Sequence, residues 1–240
     1  AGKTTLMRLL AGEGVTSDVV EATGALNRKG TVGYLPQDTQ EGDLGQAARD
    51  RILSVRGIAE TIRGIRKAER EMAESEGARQ VKAMERYVRL DQEFTNAGGW
   101  AANAEAAQTA AALGLPERVL DQPLHTLSGG QRRRVELARV LFSRAETLLL
   151  DEPTASLDRD AALRIEELIL SFRGRRSVIL VSHNLRQARR LADAALVLSG
   201  GRIVKRLDAR ELGASIDDGS LLDEAYGDAD PADAAPSART

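Results

Sequence analysis

The chain has 240 residues, 42% apolar and 29% charged, with a formal net charge of −2. That length can bury a sizeable core, and the composition is that of a globular protein rather than a fibrous or fully disordered one. The absence of Cys excludes disulfides and thiolate metal sites, and no apolar run approaches the ~20 residues of a bilayer-crossing helix.

In chain order, Gly2 leads into a helix over 3–11 with Leu6, Leu9 and Leu10 on one face. Residues 12–30 are polar and Gly-rich with short strand candidates, and a brief strand over 31–35 closes at Pro36 and Gln37. From 44 to 112 the pattern is helical almost throughout. Ile58, Ile62, Ile65 and Met72 mark one amphipathic helix, and Val81, Met84, Val88 and Leu90 mark a second beyond Gly77. A third covers 101–113 and stops at Gly114 and Pro116. Charge is uneven along this stretch: residues 49–90 hold eleven Arg or Lys against seven Asp or Glu, whereas the last 35 residues are acidic.

The second half alternates. A helix starts near Gly129 and runs to 142, and an apolar run over 147–150 ends in Asp151 as a buried parallel strand should. A helix over 161–172 precedes a second such strand over 177–181. A helix over 185–192 and a third strand over 194–198 follow, and after Gly200 and Gly201 the segment 203–207 pairs back as a hairpin. Strands alternating with helices of about ten residues imply an α/β layer with a parallel sheet. Residues 227–240 are Ala, Asp, Pro and Ser, a composition expected to stay disordered.

Several short motifs carry chemistry. Gly2, Lys3, Thr4 and Thr5 spell GKTT, the second half of a phosphate-binding loop. Its Gly lets backbone N–H groups approach phosphate oxygens at a helix N-terminus; Lys3 would reach the β- and γ-phosphates and the Thr4 hydroxyl would ligate Mg²⁺. Taken alone, GKTT also fits any surface turn. Its first Gly would lie upstream of Ala1, and a chain opening on Ala rather than Met is expected to be a fragment with a mobile, weakly binding loop.

Residues 127–131 read LSGGQ, the most specific signal in the chain. Ser128, Gly129 and Gly130 open a helix whose free N–H groups point at an anion, although a plain helix cap would look the same. Arg132, Arg133 and Arg134 follow and read as a solvated helix face. Asp151 and Glu152 end the first apolar strand, where an α/β fold positions a Mg²⁺ ligand and a base able to polarise water. Gln37, Asp158 in ASLD and His183 in VSHN are individually uninformative; a lone His is more often structural than catalytic.

In this order the motifs resemble the ATP-binding cassette family. GKTT matches the end of Walker A, Gln37 the Q-loop, LSGGQ the signature and Asp151-Glu152 Walker B. Residues 155–158 match the D-loop and His183 the switch histidine. The resemblance implies a P-loop α/β cassette, two-lobed, with an inserted helical subdomain. Its cofactors would be ATP and Mg²⁺, with Thr4, Gln37 and Asp151 around the metal and Glu152, Gln37 and His183 catalytic. It also implies a second cassette as partner, with Ser128, Gly129, Gly130, Gln131 and Asp158 expected to bind nucleotide across that interface.

The expected parts are a first piece of the core over 1–43, a helical subdomain over 44–144, the remaining core over 145–207 and an acidic tail over 208–240. Eighty-nine residues separate Gln37 from Leu127, room for a charged helical pair. That insertion resembles the arm of ABC-F proteins, soluble ATPases that act on ribosomes; a solvated hairpin is the plainer reading. Ala155-Ser156 departs from the ABC-F pattern, and residues 164–204 are more similar to importer cassettes. The resemblance therefore leaves three functions open. One is a cytoplasmic ABC-F factor with a ribosome or tRNA partner. Another is a transporter's ATP-binding subunit with a membrane-spanning partner, and the last is a non-catalytic cassette.

Overall fold

The structure is a computed structural model that describes residues 2–13, 25–37, 43–199, 201–219 and 221. The strand candidates within 14–24, Gly200 of the expected turn and the tail over 227–240 fall outside the described residues. The chain divides into two compact units, Ala1–Leu26 with Val181–Thr240, and Asn27–Leu180.

In the first unit, helix α1 (Lys3–Ala11) starts from Gly2, whose φ of 98° lies in the left-handed region that glycine enters without strain. In the second unit, β1 (Val32–Leu35) leads to α2 (Ala48–Ser54), α3 (Ile58–Glu74), α4 (Ala78–Asn96), α5 (Gly99–Ala112) and the short α6 (Glu117–Leu120). Next come α7 (Gly129–Phe142), β2 (Thr147–Asp151), α8 (Arg159–Leu170) and β3 (Ser177–Val181). Strands β1, β2 and β3 lie side by side in that order, and Val32–Leu35 pairs in parallel with Thr147–Leu150. Leu148, Leu149 and Leu150 are fully buried, as a central parallel strand requires.

Strand β3 departs from the sequence expectation: its alternate residues are exposed, Ile179 by 43%. It lies at the end of the three-stranded order, and the described residues leave its faces only partly covered.

Helices α3 and α4 form an antiparallel pair. They approach closely because Ala68 and Ala83 are small where they are buried, and because a side chain at Gly64 would press on Leu90. The seam of α4 runs through Ala83, Tyr87, Leu90 and Phe94, so Val81, Met84 and Val88 face outward at 56–60% exposure. The expected apolar face of α4 holds only at Leu90, which packs inward; its three companions do not. Helix α5 presents Ala102, Ala106 and Ala110, all fully buried, at four-residue spacing. Glu105 projects beside that row and is gripped by Arg56 (2.7 and 3.0 Å) and Arg144 (2.7 and 2.9 Å).

The rest of the first unit has α9 (Leu185–Leu191), the antiparallel hairpin β4 (Ala194–Ser199) and β5 (Arg202–Asp208), and α10 (Ala209–Asp217). Strand β4 therefore pairs with β5 in its own two-stranded sheet rather than as a third parallel strand. Helix α10 forms where the acidic tail was expected to begin. Asp208 caps it by accepting from Arg210 N and Glu211 N, and Glu211 accepts from Asp208 N in return. Leu207, Leu212 and Leu221 make its small core, with Leu185, Ala188 and Val197 against it.

Candidate functional site

Each unit holds part of the predicted residue set. In the first, the N-terminal turn of α1 carries Gly2, Lys3, Thr4 and Thr5, and a Cβ at Gly2 would meet no atom within 4 Å. The backbone N–H groups of that turn lack intrahelical acceptors, which is the ordinary basis of anion binding at a helix start. The Lys3 ammonium lies 3.5 Å from His183 Nε2. An ammonium can only donate, so Nε2 is the ring atom placed to accept from Lys3.

In the second unit, α7 begins at Ser128 in a reciprocal cap. Ser128 Oγ accepts from Gln131 N (3.2 Å), and Gln131 Oε1 accepts from Ser128 N (3.0 Å). Gly129 has nothing within 4 Å of where a Cβ would stand, so the helix start is open to solvent there. A Cβ on Gly130, by contrast, would stand 3.3 Å from Leu157 Cδ2 and 3.6 Å from the Ser156 carbonyl. The segment after β2 therefore packs on the signature glycine. Asp158 ends that segment by capping α8, accepting from Ala161 N at 2.8 Å; this hydrogen bond foremost holds its carboxyl below the usual range.

Asp151 is 1% exposed at the end of β2. Glu152 follows at φ 51° and Ser156 at φ 63°, left-handed conformations that strain a residue with a side chain. Both lie beside the Arg133 and Gly130 contacts that hold this segment.

Arg133 overturns an expectation. The sequence places it on a solvated face with its two neighbours, yet it is 4% exposed. Its Nη1 donates to the carbonyls of Pro36 and Gln37 (3.2 Å to Gln37), and its Nη2 to those of Asp151 and Glu152 (3.0 Å to Glu152). Burial pushes this guanidinium below its usual range, against the opposing pull of Asp151, Glu136 and Glu152. The signal was present in the sequence: Arg133 stands four and seven residues before the buried Leu137 and Val140, on the inward stripe of α7. Arg134 is also held, donating to Gly130 O at 3.2 Å and Gly114 O at 3.1 Å.

Arg133 thus brings the main chains of Gln37, Asp151 and Glu152 together, while Lys3 and His183 meet in the first unit. Among the described residues no group of three or more His, Asp or Glu could hold a metal ion by itself. The expected donors (a Thr hydroxyl, a Gln amide oxygen and the Asp151 carboxylate) are all hard oxygens and fit Mg²⁺, which commonly takes one or two carboxylates with the rest from water and phosphate.

A parallel sheet whose central strand ends in paired carboxylates, with Gly-led helix starts at Gly2 and Gly129 both preceding that strand in the sequence, defines a P-loop cassette. The family pattern described as "ABC transporter" matches residues 1–155. Tylosin resistance ATP-binding protein TlrC of Streptomyces fradiae is 36% identical over 214 residues, 87% of this chain and 37% of that protein. The energy-dependent translational throttle protein EttA of Mycobacterium tuberculosis is 34% identical over 209 residues, 84% of this chain and 34% of that protein. Phosphate import ATP-binding protein PstB 2 of the same organism is 45% identical over a shorter 96 residues, 40% of this chain and 34% of that protein. The chain spans about a third of the length of each. Among solved structures, a metal-chelate type ABC transporter matches 92% of this chain and 73% of its own, with TM-score 0.60 and 20% identity, which shows the fold. The chain belongs to the ABC family of ATP-binding cassettes.

Proposed function

We propose that the chain hydrolyses ATP to ADP and phosphate as one of two paired cassettes in a cytoplasmic, ABC-F-type protein that works on the ribosome. The observation supporting the ATPase reading is the convergence of Gln37, Asp151 and Glu152 on Arg133. Glu152 accepts a proton from a water that Gln37 orients; the water oxygen bonds to the γ-phosphorus as the bond to the ADP oxygen breaks. Lys3 and the α1 N-terminus bind the β- and γ-phosphates, and His183 lies beside Lys3 at the same phosphates. Thr4, Gln37 and Asp151 would hold Mg²⁺, which when bound neutralises phosphate charge. Ser128, Gly129, Gly130 and Gln131 face the partner cassette's nucleotide, with Asp158 near that interface.

The ribosome reading is supported by the α3–α4 pair and by two relatives that align over most of this chain, one of them named for throttling translation. Arg63, Arg66, Lys67 and Arg70 lie exposed on one face of α3, a spacing suited to a phosphate backbone. Changing all four to Glu is expected to weaken cosedimentation with ribosomes while leaving basal ATPase nearly unchanged. No cosedimentation of the unmutated full-length protein, even at low salt, overturns this reading. The second reading, an ATP-binding subunit pairing with a membrane-spanning protein, is favoured by the similarity to phosphate import protein PstB 2. No described helix is long and apolar enough to cross a membrane, so that reading requires a separate membrane subunit to copurify.

A further inference from the structure

We infer that Arg133 is a positioning residue for hydrolysis: from the helix that opens with the signature, it fixes the backbone geometry of both Gln37 and Glu152. This rests on the ATPase reading above. The carbonyls of residues i−1 and i bracket the φ and ψ of residue i, so holding both sets the direction in which side chain i leaves the chain. Arg133 does this twice. Through Nη1 it holds the carbonyls of Pro36 and Gln37, which bracket Gln37. Through Nη2 it holds those of Asp151 and Glu152, which bracket Glu152.

The second grip matters more, because Glu152 sits at φ 51°, a conformation that relaxes unless its surroundings hold it. Stability alone is a weak reason for this arrangement. A buried cation loses its hydration, and an apolar side chain of similar volume often serves a fold as well or better. What an apolar side chain cannot do is hold two separate loops by four carbonyls. The planar, two-pronged guanidinium can, and Lys, a single ammonium, can serve only part of the set. Arg133 also lies five residues beyond Ser128, on the helix that the Ser128–Gln131 cap begins. Displacement of the signature turn therefore reaches Gln37 and Glu152 through one side chain.

The test is steady-state ATPase of the full-length protein carrying Arg133→Met, Arg133→Lys, Glu152→Gln, or Arg133→Met with Glu152→Gln. Arg133→Met is expected to lower kcat by about a hundredfold, the loss produced by misplacing a reacting group by an ångström. KM for ATP should change by less than about threefold, because ground-state binding is not what Arg133 sets. In the Glu152→Gln background the same change should cost less than about threefold, since the base it positions is already gone. Arg133→Lys should fold and recover less than about a tenth of the parent kcat.

A folded Arg133→Met protein with kcat within about twofold of the parent overturns the inference, as does full additivity with Glu152→Gln. If Arg133→Met does not fold, Arg133→Lys carries the test, and parental kcat in that variant overturns it. A parent without ATP turnover defeats the ATPase reading and this inference with it. A parent with turnover and an undiminished Arg133 variant defeats this inference alone.

Discussion

Replacing Glu105 by Gln removes one negative charge while keeping the side chain's shape. Glu105 accepts two hydrogen bonds from Arg56 and two from Arg144, and Arg56 also stacks 3.7 Å from the Phe142 ring centre and donates to the Phe142 carbonyl at 2.7 Å. Burial alone would raise the Glu105 pKa, but the hydrogen bonds and charges of the two arginines outweigh it and lower the pKa from 4.5 to about 2. A shift of that size corresponds to at most about 3 kcal/mol. With 27% of the side chain exposed, solvent screening brings the expected contribution to about 1–2 kcal/mol. The folded pKa is depressed, so this stabilisation is complete above pH 4.5 and is lost as the pH falls toward 2. Urea unfolding followed by circular dichroism at pH 7, 5 and 3 reads it directly. Glu105→Gln should lower the midpoint by about 0.5 M at pH 7 and by progressively less below pH 4.5. An equal deficit at all three pH values, or none at pH 7, would refute the electrostatic origin of the effect.

Glu152→Gln keeps the shape and removes the base, so turnover should fall by about 10²–10⁴-fold to a residual rate while binding of Mg·ATP by calorimetry stays within about threefold; parental turnover would show that Glu152 is not the base. Gly99→Ala would press a methyl group into the Phe94 ring, which is itself edge-on to Trp100 at 5.2 Å. Thermal melting should report a loss of about 1–3 kcal/mol, and an unchanged melting temperature would mean that α4 and α5 are loose enough to yield.

What the sequence made legible follows physical range. Strand β2 was readable because three consecutive leucines ending in Asp151 have few other uses, and α7 because Ser128 and Gln131 stand at cap spacing. The hairpin β4–β5 was readable from alternation and the glycines between its strands, although its separation from the parallel sheet was not: pairing partners depend on distant chain. Helix α4 misled because Val81, Met84 and Val88 form a valid apolar face, whereas the small Ala83 decides which face α3 can approach. The α10 cap was visible in Asp208 and Glu211 but was masked by the acidity of its surroundings. Arg133 was hidden by its neighbours, because three consecutive arginines look alike until helical phase separates the inward one from the rest.

The close approach of the Ser156–Leu157 stretch to Gly130 makes position 130 intolerant of a side chain. With no side chain at 130, Leu157 Cδ2 and the Ser156 carbonyl come within 3.3 and 3.6 Å of where a Cβ would stand, so any larger residue there would press the 156–157 stretch away from the first turn of α7. Asp158 ties the far end of that stretch to α8 through its bond to Ala161 N. One three-residue stretch, 156–158, thus borders the start of α7 at one end and caps the start of α8 at the other.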